Sequence, residues 1–91
     1  MRCFFYVLRS ARDGHLYKGV AVDVQRRLRQ HNSGKTKSVK HRLPLELVYV
    51  EECDTREAAL ARERWAKSLS GGAYLQRLLQ NAGPLDHSET H

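Results

Sequence analysis

The sequence predicts a small α/β sandwich with its elements in the order ββαβαα, on three observations. Two short runs rich in aromatic and β-branched residues, Phe4-Phe5-Tyr6-Val7-Leu8 and Leu16-Tyr17-Lys18-Gly19-Val20, flank the turn-forming Arg12-Asp13-Gly14. A third run, Leu45-Glu46-Leu47-Val48-Tyr49-Val50, follows Pro44 and alternates in the manner of a strand. Three stretches with helical spacing stand between and after these runs, so a short three-stranded sheet flanked by helices results. Ninety-one residues allow one small core, assigned to residues 1–82, with 83–91 expected as a disordered tail.

Each element has its own warrant. Residues 3–9 and 15–20 read as the arms of a β-hairpin, because Gly14 tolerates positive φ and Asp13 can bond its own backbone. Tyr6 and Tyr17 can share a face, since same-face positions recur every second residue. Gly19 lies on the Tyr17 side of its strand and leaves space for something to approach the sheet. Asp23 is a good N-cap for a first helix in which Val24, Leu28 and His31 form a stripe closed by Asn32-Ser33-Gly34. Residues 33–43 are polar, basic and aperiodic, which reads as a loop. Thr55 caps a second helix through Lys67, and Ser70 is the expected cap of a last helix with Tyr74, Leu75, Leu78 and Leu79 as its apolar stripe.

Charge and composition narrow the partner. Sixteen Lys and Arg against ten Asp and Glu give a net charge of +6, which favours a polyanion. Within residues 26–42 stand Arg26, Arg27, Arg29, Lys35, Lys37, Lys40 and Arg42, with His31 and His41 and no acidic residue. Such a run is often plain solvated surface; drawn from one helix and one loop, it can also form a strip that tracks phosphates. Cys3 and Cys53 are too few and too far apart for a disulfide framework or a zinc ligand set, and read as half-buried thiols in a reducing cytoplasm. No apolar run suits a signal peptide or a membrane span, and a cytoplasmic protein without a membrane partner is expected.

The candidate chemistry is carried by few residues. Tyrosines in strands are usually core residues, but two on one hairpin face beside a glycine suggest a pocket. Arg27 can hold a phosphate oxygen through its planar fork, and His31 emerges one turn later from the same flank as a proton-transfer or phosphate-contacting group. Glu63 is either the helix partner of Lys67 four residues on or, tilted toward the core by Leu60 and Ala66, a hard oxygen ligand for a divalent cation.

These residues in this order resemble the small stand-alone bacterial type of GIY-YIG nuclease domain, over roughly residues 3–70. Phe5-Tyr6-Val7 is similar to the first motif with its tyrosine kept, and Tyr17-Lys18-Gly19 to the second with tyrosine and glycine kept. The first helix, the segment Asn32-Ser33-Gly34-Lys35, residues 44–51 and Arg62-Glu63 follow in the family's order. The resemblance implies that Tyr6 and Tyr17 flank the attacking water and that Arg27 stabilises the scissile phosphate. It implies His31 as general base or positioning group, with Tyr6 and Tyr17 as the other candidate bases. Glu63 would hold one Mg²⁺ or Mn²⁺, with no small-molecule cofactor. Lys18, Arg26, Lys35, Lys37, Lys40 and Arg42 are expected to contact the nucleic acid. Two positions depart from the family: Val20 and Leu75 replace polar residues that many members carry.

The expected function is therefore a metal-dependent DNA endonuclease hydrolysing phosphodiester bonds, preferring single-stranded or structured DNA and targeted by its own basic loop, by DNA structure or by a protein partner. The alternative is a nucleic-acid-binding module of the same fold with little or no catalysis. A third reading, a small interaction protein using its amphipathic last helix, predicts no salt-dependent binding of nucleic acid.

Overall fold

The computed structural model describes residues 2–34 and 42–85. In it β1 (Cys3–Ser10) and β2 (Leu16–Ala21) form the hairpin, followed by α1 (Val24–Asn32), β3 (Leu45–Cys53), α2 (Arg56–Lys67) and α3 (Leu69–Leu78). The expected α/β class and the order ββαβαα are both found. The sheet is antiparallel with strand order β2-β1-β3. Central β1 is covered on both faces, so its apolar run is continuous: Phe5, Val7 and Leu8 are each at most 1% exposed. Burying each is worth about 1.5–3 kcal/mol.

The two faces of the sheet carry different cargo. Phe5, Val7, Leu16 and Val48 pack with Ala66 of α2 and with Leu75 and Leu79. Tyr6, Leu8, Leu45 and Leu47 pack with Val24, and Tyr17 and Leu28 border that cluster. Val7 opposes Tyr49 while Leu8 opposes Leu47, so Val48 is a bulge residue and joins Tyr49 on the α2 side. Strict alternation, as read from the sequence, would have split that pair. Strand β3 also runs past its expected end at Val50, because Glu51 and Glu52 pair with Phe5 and Phe4. Arg62 and Arg2 neutralise those two carboxylates.

Ser68, rather than Ser70, caps α3. Its hydroxyl accepts from the Gly71 N–H at 3.1 Å and donates to the Trp65 carbonyl at 2.5 Å, while its own N–H also reaches that carbonyl at 3.1 Å. One residue thus ends α2 and starts α3. Gly71 is required at this joint, since an added Cβ would run into the Trp65 carbonyl. The expected apolar stripe is narrower than read: Leu75 and Leu79 are buried, whereas Tyr74 and Leu78 are 49% and 50% exposed.

Cys3 and Cys53, distant in sequence, are register partners across β1 and β3, and both thiols are free and buried, not half-buried. Of the stretch expected as a tail, residues 86–91 lie outside the described residues, and the Leu85 N–H donates to the Leu47 carbonyl at 2.7 Å. Among the described residues no helix is long and apolar enough to cross a membrane.

Candidate active site

The site is built around one contact between the hairpin arms. Tyr6 and Gly19 oppose each other in the ladder, and the Tyr6 phenol lies over Gly19. A Cβ added at Gly19 would lie 2.5 Å from Tyr6 Cζ, closer than any real contact. The space left by Gly19 is therefore filled by the tyrosine ring of the neighbouring strand. Tyr6 is only 5% exposed, and burial raises its phenol pKa; Arg27 opposes that rise and Glu63 adds to it. Charges on α1 and α2 thus bear on a single phenol of β1. The phenol remains protonated at neutral pH.

Helix α1 brings Arg27 and His31. The Asp23 carboxylate accepts from the Arg26 N–H at 3.0 Å, starting the helix where the sequence places it. Asn32 fixes the other end: its amide donates to the Leu45 carbonyl at 3.0 Å and accepts from the Leu45 N–H at 2.8 Å. The side chain mimics a strand partner and ties the last turn of α1 to β3, one residue beyond His31. Burial first, and Arg27 second, lower the His31 pKa, so its imidazole is neutral at pH 7. His31 Nδ1 is buried without a hydrogen-bond partner among the described residues. Tyr17 is half-buried beside this cluster, opposite Leu8, with its ring edge-to-face with His15 at 4.7 Å.

Glu63 reaches the site from α2. Its carboxylate is 21% exposed and accepts from the Lys67 ammonium at 3.1 Å. The helix-partner reading of Glu63 is thus found, and its charge also bears on the Tyr6 phenol. No cluster of three His, Cys, Asp or Glu stands among the described residues. A single accessible carboxylate suits a small hard cation that keeps most of its waters and takes further oxygens from a substrate phosphate, as Mg²⁺ does. The donor set fits that ion.

The predicted contact residues are dispersed. Arg26 is exposed on α1, and Lys35, Lys37 and Lys40 lie outside the described residues. Arg42 pairs with Asp13 at 3.5 Å and accepts through its carbonyl from the Ser10 hydroxyl, which holds it at the hairpin turn. Lys18 opposes Val7, so it faces α2 and α3 while Tyr17 beside it faces α1. Burial and the Lys67 charge both lower its pKa. The aromatic residues that might have stacked bases are engaged: the Tyr49 hydroxyl donates to Glu51, and Trp65 lies under Arg62 and against Tyr74.

Sequence reasoning missed Asn32 as an anchor and the identity of the group that needs Gly19. The helical stop at Asn32 could have signalled the first; nothing local encodes the second. Leu75, where many family members carry a polar side chain, is 1% exposed in the core. Val20 borders the cluster of Cys3, Cys53 and Ala59. Neither position supplies a polar group to the site.

The family described as GIY-YIG catalytic domain matches residues 2–74. A UPF0213 protein of Syntrophus aciditrophicus is 39% identical over 80 residues, covering 86% of this chain and 91% of the relative. A UPF0213 protein of Haloquadratum walsbyi is 44% identical over 66 residues, covering 71% and 73%. The solution NMR structure of a UPF0213 protein from Bacillus halodurans superposes with a TM-score of 0.53 at 34% identity, covering 92% of this chain and 89% of the other.

Proposed function

Because the chain belongs to the GIY-YIG catalytic-domain family, a family of nucleases, we propose that it is a divalent-metal-dependent endonuclease that hydrolyses phosphodiester bonds in single-stranded or structured DNA. The observation that carries this reading is the convergence on Tyr6: Arg27 and Glu63 both act on a phenol seated over Gly19. A cation, a carboxylate and an aligned hydroxyl are what in-line attack on a phosphate diester requires.

In this mechanism the Tyr6 and Tyr17 hydroxyls orient a water molecule against the phosphorus. His31 takes its proton, because a neutral imidazole is ready to accept one whereas the buried Tyr6 phenol resists ionisation. The water oxygen bonds to phosphorus as the bond to the 3′ oxygen breaks, and the departing 3′ oxygen collects a proton from solvent. Arg27 faces the charge that develops on the non-bridging oxygens. Glu63 would hold Mg²⁺ or Mn²⁺, which supplies Lewis-acid stabilisation of the phosphate and of the leaving oxygen. Lys67 must then release the carboxylate it now holds. Buried free thiols suit a reducing cytoplasm as the setting.

The test is cleavage of matched single-stranded, duplex and flap DNA with Mg²⁺ or Mn²⁺, run beside Glu63→Gln. Cleavage by the wild type, with a variant that binds but does not cut, supports the assignment. A wild type that binds all three and cuts none favours the second reading, a binding module, whose support is the apolar character of Val20 and Leu75.

A further inference from the structure

Three adjoining concavities border β2, and a fourth continues past the hairpin turn to the ends of β1 and β3. The first, of about 460 Å³, lies between Lys18 and the α2–α3 joint and is bordered by Lys67 and Gln76. Lys18 and Gln76 also border the second, of about 340 Å³, which continues to Gly14 at the hairpin turn. The third, of about 380 Å³, shares Gln76 and Gly14 and adds Arg77. The fourth, of about 540 Å³, shares Gly14 and ends at Ala82. The first three form one trough between β2 and α3, beginning at Lys67, the ion-pair partner of Glu63.

The trough is cationic and polar where it leaves the site. Lys18 is partly desolvated and faces the Lys67 charge, a penalty that an anion between them would remove. The carboxylates along the way are already paired, Asp13 with Arg42 and Glu46 with Arg9. Gln76 and Arg77 are exposed on α3 and keep donors available. From Lys18 to Leu16 the strand spans about 7 Å, and the turn to Gly14 lengthens the path further, room for a few nucleotides of one strand. One strand edge and one helix enclose the trough, so it holds a single backbone and not both strands of a duplex. The opposite edge of the sheet offers no such path, because Leu85 bonds to Leu47 there.

Resting on the nuclease reading, we propose that this trough is the track for single-stranded DNA on one side of the scissile phosphate, with Lys67, Lys18, Gln76 and Arg77 contacting successive phosphates. Fluorescence anisotropy with 5′-fluorescein oligothymidylates of graded length, in EDTA so that nothing is cut, tests it on the full chain. Gln76→Glu and Arg77→Glu should each weaken binding about tenfold, and Arg77→Glu should also flatten the salt dependence by about 0.7 in log–log slope. Arg64→Glu, the same change of charge as Arg77→Glu on the exposed face of α2, should stay within about twofold of wild type. These are surface substitutions, and circular dichroism checks that each variant folds. Equal weakening by Arg64→Glu and Arg77→Glu, or none by Gln76→Glu and Arg77→Glu, overturns the track. So does an equal loss of duplex binding. If the wild type cuts DNA while the trough variants bind normally, the track fails and the nuclease reading stands. A wild type that neither binds nor cuts sinks both.

Discussion

The two flanks of α2 each carry an ion pair, and the pairs are built differently. On one flank Arg62 meets Glu51 at 3.1 Å, Glu51 also accepts from the Tyr49 hydroxyl at 2.9 Å, and Arg62 lies 4.4 Å over the Trp65 ring. This pair ties α2 to β3, and each of its members has a further role. On the other flank Glu63 meets Lys67 within the same helix, and Lys67 is 59% exposed. Among the described residues, this ion pair joins no second element. The first flank is a clamp, and the second is a carboxylate held ready by a partner that can leave. Adjacent residues, Arg62 and Glu63, serve opposite ends because about 100° of helix rotation separates them.

The largest effect expected from breaking this contrast is in catalysis. Glu63→Gln should lower cleavage by about 10³-fold with little change in melting temperature, measured by single-turnover cleavage and thermal unfolding. Arg62→Leu should do the reverse, costing about 0.5–1 kcal/mol of stability after allowing for solvent screening of a partly exposed pair, while cleavage stays within a few-fold. If both variants lose cleavage equally at matched stability, the contrast is wrong.

Gly19→Ala should damage both quantities, because the methyl group must displace the Tyr6 ring. The expected cost is about 1–3 kcal/mol, with a fall in cleavage that Tyr6→Phe only partly reproduces. A smaller sharpening comes from pH. The folded state holds His31 below its ordinary pKa, so between that lowered value and about 6.5 the unfolded chain binds the extra proton. His31 therefore favours folding above about pH 6.5, and that contribution is lost as pH falls through this window. Cleavage should fall as well, by about tenfold per unit of pH below the folded pKa, and His31→Gln should abolish that limb of the profile. Last and smallest, Lys67→Ala should cost about 0.3–0.5 kcal/mol in stability and tighten Mn²⁺ binding measured calorimetrically, since Glu63 would no longer have to be released.

Much of the scaffold was legible in the sequence because its signals are local. Asp23 and Thr55 cap the helices they were expected to cap, and Gly14 takes the positive φ that the hairpin turn needs. The misreadings have a common origin. Ser70 was the expected cap, but the Trp65 carbonyl makes Ser68 the joint between two helices. The period of β3 broke at Val48 because pairing with β1, not its own pattern, sets that strand's register. Arg42 belonged to a basic run in sequence, but Asp13 holds it at the hairpin turn.

The candidate site divides along the same line. Residue type and spacing alone determined that two tyrosines can share a hairpin face, that Arg27 and His31 can share a helix flank, and that the chain carries a net charge of +6. Those properties follow from strand and helix periods and from charge, which need no distant partner. Only the tertiary structure decided that Tyr6 fills the space over Gly19, that the Glu63 charge on α2 bears on the same phenol, and that Lys18 turns away from Tyr17 toward α3. Each of those depends on which elements pack together, and packing is set by burial of a shared core, which no local stretch of the chain encodes.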